Sequence, residues 1–168
     1  FCAGEIGHIC LNPSGPLCGC GARGCMEAYA SRTAITRDIW AAVKKGQASL
    51  ITESVKKPGD QIRSKILQSA YMDGDKVVRK VFDQSISHLA DGLTSLVHVI
   101  NPEKIILGGG VVEALGDVYL EKVLGQMKKR AFKSMMEPLS VVEACLGDDA
   151  GILGAALLGR QAIESGTH

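Results

Sequence analysis

Aromatic residues are scarce in this sequence, and charge of neither sign is in excess. Phe, Trp and Tyr make up 4% of the 168 residues, so we expect an aliphatic core. The 19 Lys and Arg residues almost balance the 18 Asp and Glu residues, and the net charge of +1 gives no broad positive field for a polyanion. The composition therefore argues against a nucleic-acid-binding module.

Long hydrophobic runs are also missing. None approaches the roughly 20 apolar residues needed to span a bilayer, and the opening residues show no basic stretch followed by an apolar signal core. We therefore expect no membrane association and a cytoplasmic location. Because the sequence opens with FCAGEIGH, without an initiator methionine and inside a predicted strand, we also interpret it as a fragment of a longer protein.

Much of the chain has the apolar periodicity of helices. Apolar residues at helical spacing predict one helix that ends at a Gly46 C-cap and another from Ser64 to about Gly74, with a loop at KKPGDQ between them. Asp75 is a good N-cap for the run that follows. That run carries apolar residues as far as Ile100 and predicts either one kinked helix or two.

The rest of the chain alternates strands with helices. Strands are predicted at Glu5 to Leu11, at Lys104 to Leu107 and in LSVVEAC, and helices over about Val118 to Phe132 and in DDAGILGAALLGRQAI. Asp148 and Asp149 are expected to cap this last helix, whose small residues predict a thin face for close packing. The order of elements predicts an α/β fold.

The opening segment holds one imidazole and three thiols close together in sequence, at His8, Cys18, Cys20 and Cys25. This set suits zinc in a closed tetrahedral site, and the intervening glycines allow the chain to curl around one point. A disulfide pair with spare thiols is the alternative; we favour zinc because cytosolic proteins rarely keep disulfides and Cys18 is close to Cys20 for an unstrained bridge. The remaining cysteines are predicted to be small buried hydrophobic residues: Cys2, Cys10 and Cys145.

The segments GEIGH, CGCGARGC and MEAYAS, in this order, resemble the signature of the ROK family, which groups bacterial sugar kinases with sugar-responsive repressors. NPEKIILGGGV and DDAGILGAALL resemble later segments of the same family. The resemblance covers essentially the whole chain and implies the C-terminal half of a ROK protein with an actin-like, ribonuclease H-like α/β fold. It implies one incomplete domain over residues 1–168, without the N-terminal ATPase domain. A zinc loop (8–25), a mainly helical part (26–100) and strand-helix units (101–168) make up this domain.

The resemblance also implies roles for individual residues. It makes His8, Cys18, Cys20 and Cys25 the ligands of a structural zinc ion. It places Glu5, His8 and Glu27 against sugar hydroxyls, with His8 serving both sites. Carboxylates suit this role because they accept hydrogen bonds from paired hydroxyls. Without the family context, Glu5 would be a surface carboxylate and Glu27 an acid at a helix N-terminus.

A run of glycines follows the predicted strand that ends at Leu107. The resemblance assigns Gly108, Gly109 and Gly110 to the adenosine end of an ATP site, where backbone N–H groups can approach a nucleotide. Three glycines also fit a tight turn from strand to helix, so the nucleotide role depends on the resemblance.

The resemblance implies that the parent protein is a Mg²⁺-dependent and ATP-dependent kinase of a hexose or N-acetylhexosamine, most similar to a glucokinase. Kinases of this family carry a DxGGT phosphate loop, a catalytic Asp after an Asn and a GTGIGGG-like turn, none of which occurs in this sequence. We expect those features upstream of residue 1 and therefore expect the present chain to be inactive by itself. Self-association, as a homodimer, is also expected.

Two other interpretations stay open. In a ROK repressor the same half binds sugar and an upstream helix-turn-helix binds DNA, so nucleic acid would be a partner only through that upstream part. Alternatively, the chain is a zinc-stabilised dimerisation half without ligand binding. A DxGGT segment upstream would favour the kinase, whereas an upstream winged helix would favour the repressor.

Overall fold

The structure, a computed structural model, describes residues 4–166 of the chain. Two parallel strands and several helices follow a short 3-10 turn at Ile6–His8. The helices are α1 (Glu27–Ala30), α2 (Arg32–Lys44), α3 (Ile51–Ser54), α4 (Ser64–Met72), α5 (Lys76–Ile100), α6 (Gly110–Leu115), α7 (Asp117–Met127), α8 (Lys133–Met136) and α9 (Ala150–Ser165). The strands are β1 (Lys104–Leu107) and β2 (Ser140–Glu143). This architecture confirms the α/β prediction.

Helix α5 is the centre of the fold and packs against α1, α2, α4 and α7. Its buried side chains recur at helical spacing, and Val78, Phe82 and Val97 are almost fully inaccessible to water. Asp75 begins the helix as predicted, because its carboxylate accepts hydrogen bonds from the backbone N–H groups of Val77 and Val78 at 2.8 and 3.0 Å. The predicted run is a single helix of 25 residues.

Strands β1 and β2 pair in parallel, with Ile105 opposite Val141. Helices α6, α7 and α8 form the connection between them, as a parallel pair requires. Ile105 is buried, whereas Ile106 on the other face of β1 is 63% exposed. The sheet has two strands in the described residues, which makes it small. The face of β1 that carries Ile106 is open to solvent.

Two predicted elements differ from the structure, and a third element was not predicted. Glu5 to Leu11 is not a strand: its backbone closes a 3-10 turn through the His8 N–H to Glu5 carbonyl bond of 3.0 Å. The helix predicted as far as Phe132 ends at Met127, because Met127 is the last buried residue before an exposed basic turn. Helix α6 was not predicted, although its apolar residues follow directly on the glycine run.

Helix α9 has no buried residue, although its sequence is strongly apolar. Ile152, Leu158 and Ile163 are 72%, 69% and 81% exposed. The predicted close packing of its small residues is wrong within residues 4–166, since nothing lies within 4 Å of a Cβ placed on Gly151 or Gly154. Its capping is not as predicted either: Asp149 occupies the N-cap position but makes no side-chain capping bond, and the side chain of Asp148 is outside the described part.

None of the helices in the described residues is long and apolar enough to cross a membrane.

Candidate metal centre and neighbouring pockets

The loop between the 3-10 turn and α1 is folded by backbone bonds rather than by a hydrophobic core. Two isolated antiparallel bridges join Cys10 to Cys25 and Leu17 to Arg23. Gly24 has a φ of 74°, and a Cβ atom there would overlap the carbonyl oxygen of Asn12. A glycine is therefore required at this crossing, for both its conformation and its lack of a side chain.

This folding brings together the four residues His8, Cys18, Cys20 and Cys25, whose ligand atoms all lie within 4.8 Å of one another. The Sγ atoms of Cys20 and Cys25 are 3.7 Å apart, and the Sγ of Cys18 lies 3.7 Å from Nδ1 of His8. Around a tetrahedral ion with metal–sulfur bonds of about 2.3 Å, neighbouring sulfurs lie about 3.8 Å apart. The two 3.7 Å separations match this spacing, and the bound of 4.8 Å on the other pairs allows the four residues to close around one tetrahedral ion after a small contraction.

The thiols of the cluster differ in acidity when no metal is bound. Burial raises the pKa of Cys25 to about 12, and hydrogen bonds with Cys20 and Cys18 act in the same direction. The pKa of Cys20 is lowered, chiefly because its sulfur accepts a hydrogen bond from the backbone of Ala22. A metal ion must therefore displace a proton from Cys25 to bind its sulfur.

His8 presents its two ring nitrogens to different groups. Nδ1 faces the thiol cluster, whereas Nε2 lies 3.9 Å from a carboxylate oxygen of Glu5. The side chain of His8 is 35% exposed and that of Glu5 is 73% exposed. A separation of 3.9 Å is too long for a direct hydrogen bond but leaves room for a hydroxyl oxygen that contacts both groups.

Glu27 is the first residue of α1 and is directed toward the same turn. Its Oε2 atom lies 3.4 Å from the position that a Cβ on Gly7 would occupy, so Glu27 reaches the segment between Glu5 and His8. Its carboxylate is exposed. We call the four residues His8, Cys18, Cys20 and Cys25 the metal cluster, because they could hold one ion. The structure places Glu5, His8 and Glu27 along one edge of this cluster, so that two carboxylates lie beside an imidazole.

The glycine run lines a separate cavity of about 420 Å³. Gly109 has a φ of 102°, and Gly110 approaches Ser64 closely enough that a Cβ would lie 2.6 Å from the Ser64 hydroxyl oxygen. Other parts of the fold complete the wall, and sequence reasoning had not identified them: Ala30, Ser31, Arg32, Leu89 and Tyr119. Burial raises the pKa of Tyr119 to about 12, so its hydroxyl stays protonated at neutral pH.

A short helix connects the carboxylate edge with the glycine cavity. Glu27 begins α1 and Ala30 ends it, and Ala30 already lines the cavity. Three residues of helix correspond to about 4.5 Å along the axis. Ser31 follows as the N-cap of α2 and accepts a hydrogen bond from the Ala34 N–H at 3.1 Å. The two candidate sites are therefore neighbours that α1 connects.

The cysteines outside the cluster do not behave as predicted. Cys10 and Cys145 are both exposed, so the prediction that they fill the core is wrong for these two residues. Neither residue lies in one of the helices or strands that pack against the core. Cys2 lies outside the described residues.

The comparisons with known proteins agree on one family. A sequence model described as "ROK family" matches residues 2–162. A glucokinase of Thermotoga maritima is 35% identical over 159 residues, which make up 95% of this chain and 50% of that protein. The DNA-binding transcriptional dual regulator NagC of Escherichia coli is 31% identical over 163 residues, covering 97% of this chain and 38% of NagC.

A solved structure extends the likeness to the fold. The crystal structure of a ROK family glucokinase from Streptomyces griseus, in complex with glucose and AMPPNP, matches with a TM-score of 0.80 at 33% identity, over 95% of this chain and 52% of that one. The predicted fold, that of an actin-like ATPase, is thereby confirmed. The chain spans about half the length of the glucokinases it matches. By sequence and by fold, it belongs to the ROK family.

Proposed function

We propose that this chain is the sugar-binding and zinc-binding half of an ATP-dependent hexose kinase, with glucose as the preferred substrate. The observation that carries the proposal is the arrangement at the corner of α1. Glu5, His8 and Glu27 line one edge of the metal cluster, and a glycine-lined cavity begins one helical turn away. A phosphoryl transferase needs its acceptor and its nucleotide side by side.

Zinc is the proposed ion of the metal cluster. Three thiols and one imidazole favour zinc over hard cations, and four protein ligands leave no open position for a reactive water. Its role is structural: by holding Cys25 and His8 it fixes the two segments that carry Glu27 and Glu5. The chain then does not have to order this loop when the sugar binds.

Sugar recognition would depend on hydrogen-bond acceptors. The carboxylates of Glu5 and Glu27 accept hydrogen bonds from sugar hydroxyls, and Nε2 of His8 can contact the same hydroxyl as Glu5. Holding Nδ1 of His8 on zinc would also fix the orientation of the ring. A hexose and an N-acetylhexosamine share these hydroxyls, and the choice of glucose comes from the similarity to named glucokinases.

The glycine cavity is the proposed binding place for the adenosine part of ATP. Backbone at Gly108, Gly109 and Gly110 carries no side chain that would prevent close approach of a ligand. The Mg²⁺ ligands and the catalytic Asp are proposed to lie in sequence upstream of residue 1. In that case the present chain binds ATP poorly and does not catalyse phosphoryl transfer by itself.

The exposed apolar surfaces agree with an incomplete domain. Helix α9 has no buried residue, and Ile106 leaves one face of β1 open. A helix as rich in apolar residues as α9 is normally covered on at least one side. We therefore propose that an N-terminal ATPase half covers these surfaces in the parent, and that the parent is a cytoplasmic homodimer. The described cysteines are all free, which fits a reducing compartment.

A second candidate is the effector half of a ROK repressor. The similarity to NagC favours it, because NagC is 31% identical over almost the whole of this chain. In that protein class, sugar binding at the same edge would control a DNA-binding domain located upstream. The sequence that precedes Phe1 in the parent gene separates the two candidates directly.

The test uses the full-length parent and calorimetric titration with glucose. Glu27→Gln and Glu5→Gln should each weaken glucose binding by roughly tenfold or more, since each removes a charged acceptor from the site. Glu121→Gln, on the exposed surface of α7, is the matched control and should bind as the unmodified protein does. Unchanged affinity in both site variants would overturn the sugar assignment.

A further inference from the structure

Cys10 lies directly opposite Cys25 on a pair of antiparallel segments. The two residues form an isolated bridge, flanked by the Leu11 N–H to Gly24 carbonyl bond of 2.8 Å and the Met26 N–H to Ile9 carbonyl bond of 2.9 Å. This pattern defines a non-hydrogen-bonded pair, in which Cα atoms lie about 4.5 Å apart and both side chains leave the same face. That spacing falls within the Cα range of disulfides, about 4.4 to 6.8 Å.

The two thiols have different positions and different partners. Cys25 is 1% exposed and belongs to the metal cluster, whereas Cys10 is exposed and outside that cluster. The Cys10 thiol donates a long hydrogen bond of 3.5 Å to the Arg23 carbonyl, two residues before Cys25. An accessible thiol outside the cluster therefore lies opposite the segment that carries Cys25.

We propose that Cys10 and Cys25 form an oxidative modification site, at which hydrogen peroxide or an organic hydroperoxide closes a disulfide and expels the metal. This inference rests on the metal part of the proposed function. The accessible Cys10 sulfur attacks one peroxide oxygen; the O–O bond breaks, water or an alcohol leaves, and Cys10 becomes a sulfenic acid. The Cys25 sulfur then attacks the Cys10 sulfur, the S–S bond forms and hydroxide leaves.

Two electrons pass from the two sulfurs to the peroxide, which balances the reaction. Loss of Cys25 leaves the metal with His8, Cys18 and Cys20, so a closed site becomes an incomplete one that releases its ion. Glu27 follows Cys25 by two residues, and His8 precedes Cys10 by two. Oxidation would thus disturb both sides of the carboxylate edge, and a thiol reductant with added zinc would restore it.

The test treats the metal-loaded 168-residue chain with hydrogen peroxide and follows metal release with a chromophoric chelator. Cys10→Ser should slow release by roughly tenfold or more, since it removes the accessible thiol and keeps the ligand set. Cys145→Ser is the matched control because Cys145 is also an exposed thiol, and it should release metal at the unmodified rate. Equal rates in the Cys10 variant and the unmodified chain would overturn the proposal.

Peptide mapping of the oxidised chain provides the second readout. A Cys10–Cys25 linkage, with a mass lower by two hydrogen atoms, is expected. A linkage between Cys18 and Cys20, or sulfonic acids without any linkage, would contradict it. Elemental analysis before oxidation tests zinc binding separately from disulfide formation. A chain without metal would refute the zinc proposal, whereas the peptide mapping still decides whether Cys10 pairs with Cys25.

Discussion

The metal loop and the helical layer around α5 are stabilised in different ways. The helical layer has a continuous apolar core that runs from Ile35 on α2 to Leu139 next to β2. The buried hydrophobic cluster in the loop region consists of Cys18, Cys25 and Ala28. Burial of apolar area can stabilise the first region, whereas the second buries little apolar area and would depend on the proposed metal. The loop that carries the proposed metal and sugar residues is thus stabilised separately from the helical layer that gives the fold its bulk.

Metal removal should have the largest effect and should separate the two regions. Structural zinc contributes about 10 to 16 kcal/mol of apparent binding energy in small peptides. Stripping the chain with a chelator should therefore expose the amides of the loop to hydrogen exchange while far-ultraviolet dichroism of the helices changes little. Restored protection after zinc is added back is the control. Loop amides that stay protected without metal would show that the backbone bonds alone suffice.

Truncation of a core side chain in the helical layer should have the next largest effect, and it should destabilise the helices rather than the loop. Phe82 on α5 is 1% exposed, so Phe82→Ala should lower the free energy of unfolding by about 3 to 5 kcal/mol. Phe132→Ala is the control, because Phe132 is 67% exposed, and it should change stability by less than about 1 kcal/mol. Urea titration of the metal-loaded proteins measures both. A Phe82 variant as stable as the control would contradict the assignment of the core.

Removal of the Asp75 carboxylate should cost less than core truncation but more than an ordinary cap. Asp75 is 5% exposed and, besides capping α5, accepts hydrogen bonds from Ser49 Oγ at 2.6 Å and Leu50 N–H at 2.7 Å. Asp75→Ala leaves four donors without their acceptor, of which the Val77 and Val78 N–H groups are buried, so we expect a loss of about 2 to 3 kcal/mol. Asp73→Ala, at an exposed neighbour, is the comparison in the same denaturation experiment. A similar small loss of unfolding free energy in both variants would mean that Asp75 is only a weak cap.

The smallest expected effect is the pH dependence of metal affinity, which concerns the loop alone. The pKa of Cys25 is raised to about 12 in the metal-free chain, chiefly by burial, so its thiol is protonated at neutral pH and metal must displace that proton. Metal affinity should consequently fall by about tenfold for each released proton when pH is lowered by one unit. Competition with a chelator of known pH dependence between pH 8 and 6.5 measures the slope. A flat profile would mean that the sulfurs bind without losing protons.

Sequence patterns predicted the helical layer better than the loop. The extent of α4, the Asp75 cap and the existence of β1 follow from local signals, namely apolar spacing and capping residues. The Glu5 to Leu11 segment was misassigned because its path depends on contacts with residues 24–26, and no local pattern encodes them. Helix α9 reads as a buried helix from its composition, but nothing in residues 4–166 covers it.

Part of the candidate site could be predicted and part could not. The four clustered residues are close enough in sequence for their ligand chemistry to be recognised. Arg32 and Tyr119, by contrast, meet the glycine run only because α2 and α7 are folded against it. The pairing of Cys10 with Cys25 likewise requires knowledge of which backbone groups bond across the loop. Local patterns of spacing and capping do not reveal long-range register of this kind.

The exposed helix α9 has a consequence for protein quality control in the cell. Exposed apolar side chains such as Ile152, Leu158 and Ile163 form the kind of surface that chaperones bind and that drives aggregation of incompletely assembled chains. A copy of this half without its cover would therefore be retained or degraded, however well its α5 core folds. Helix α9 would then act as a checkpoint, which is passed only when the proposed N-terminal half has folded onto it.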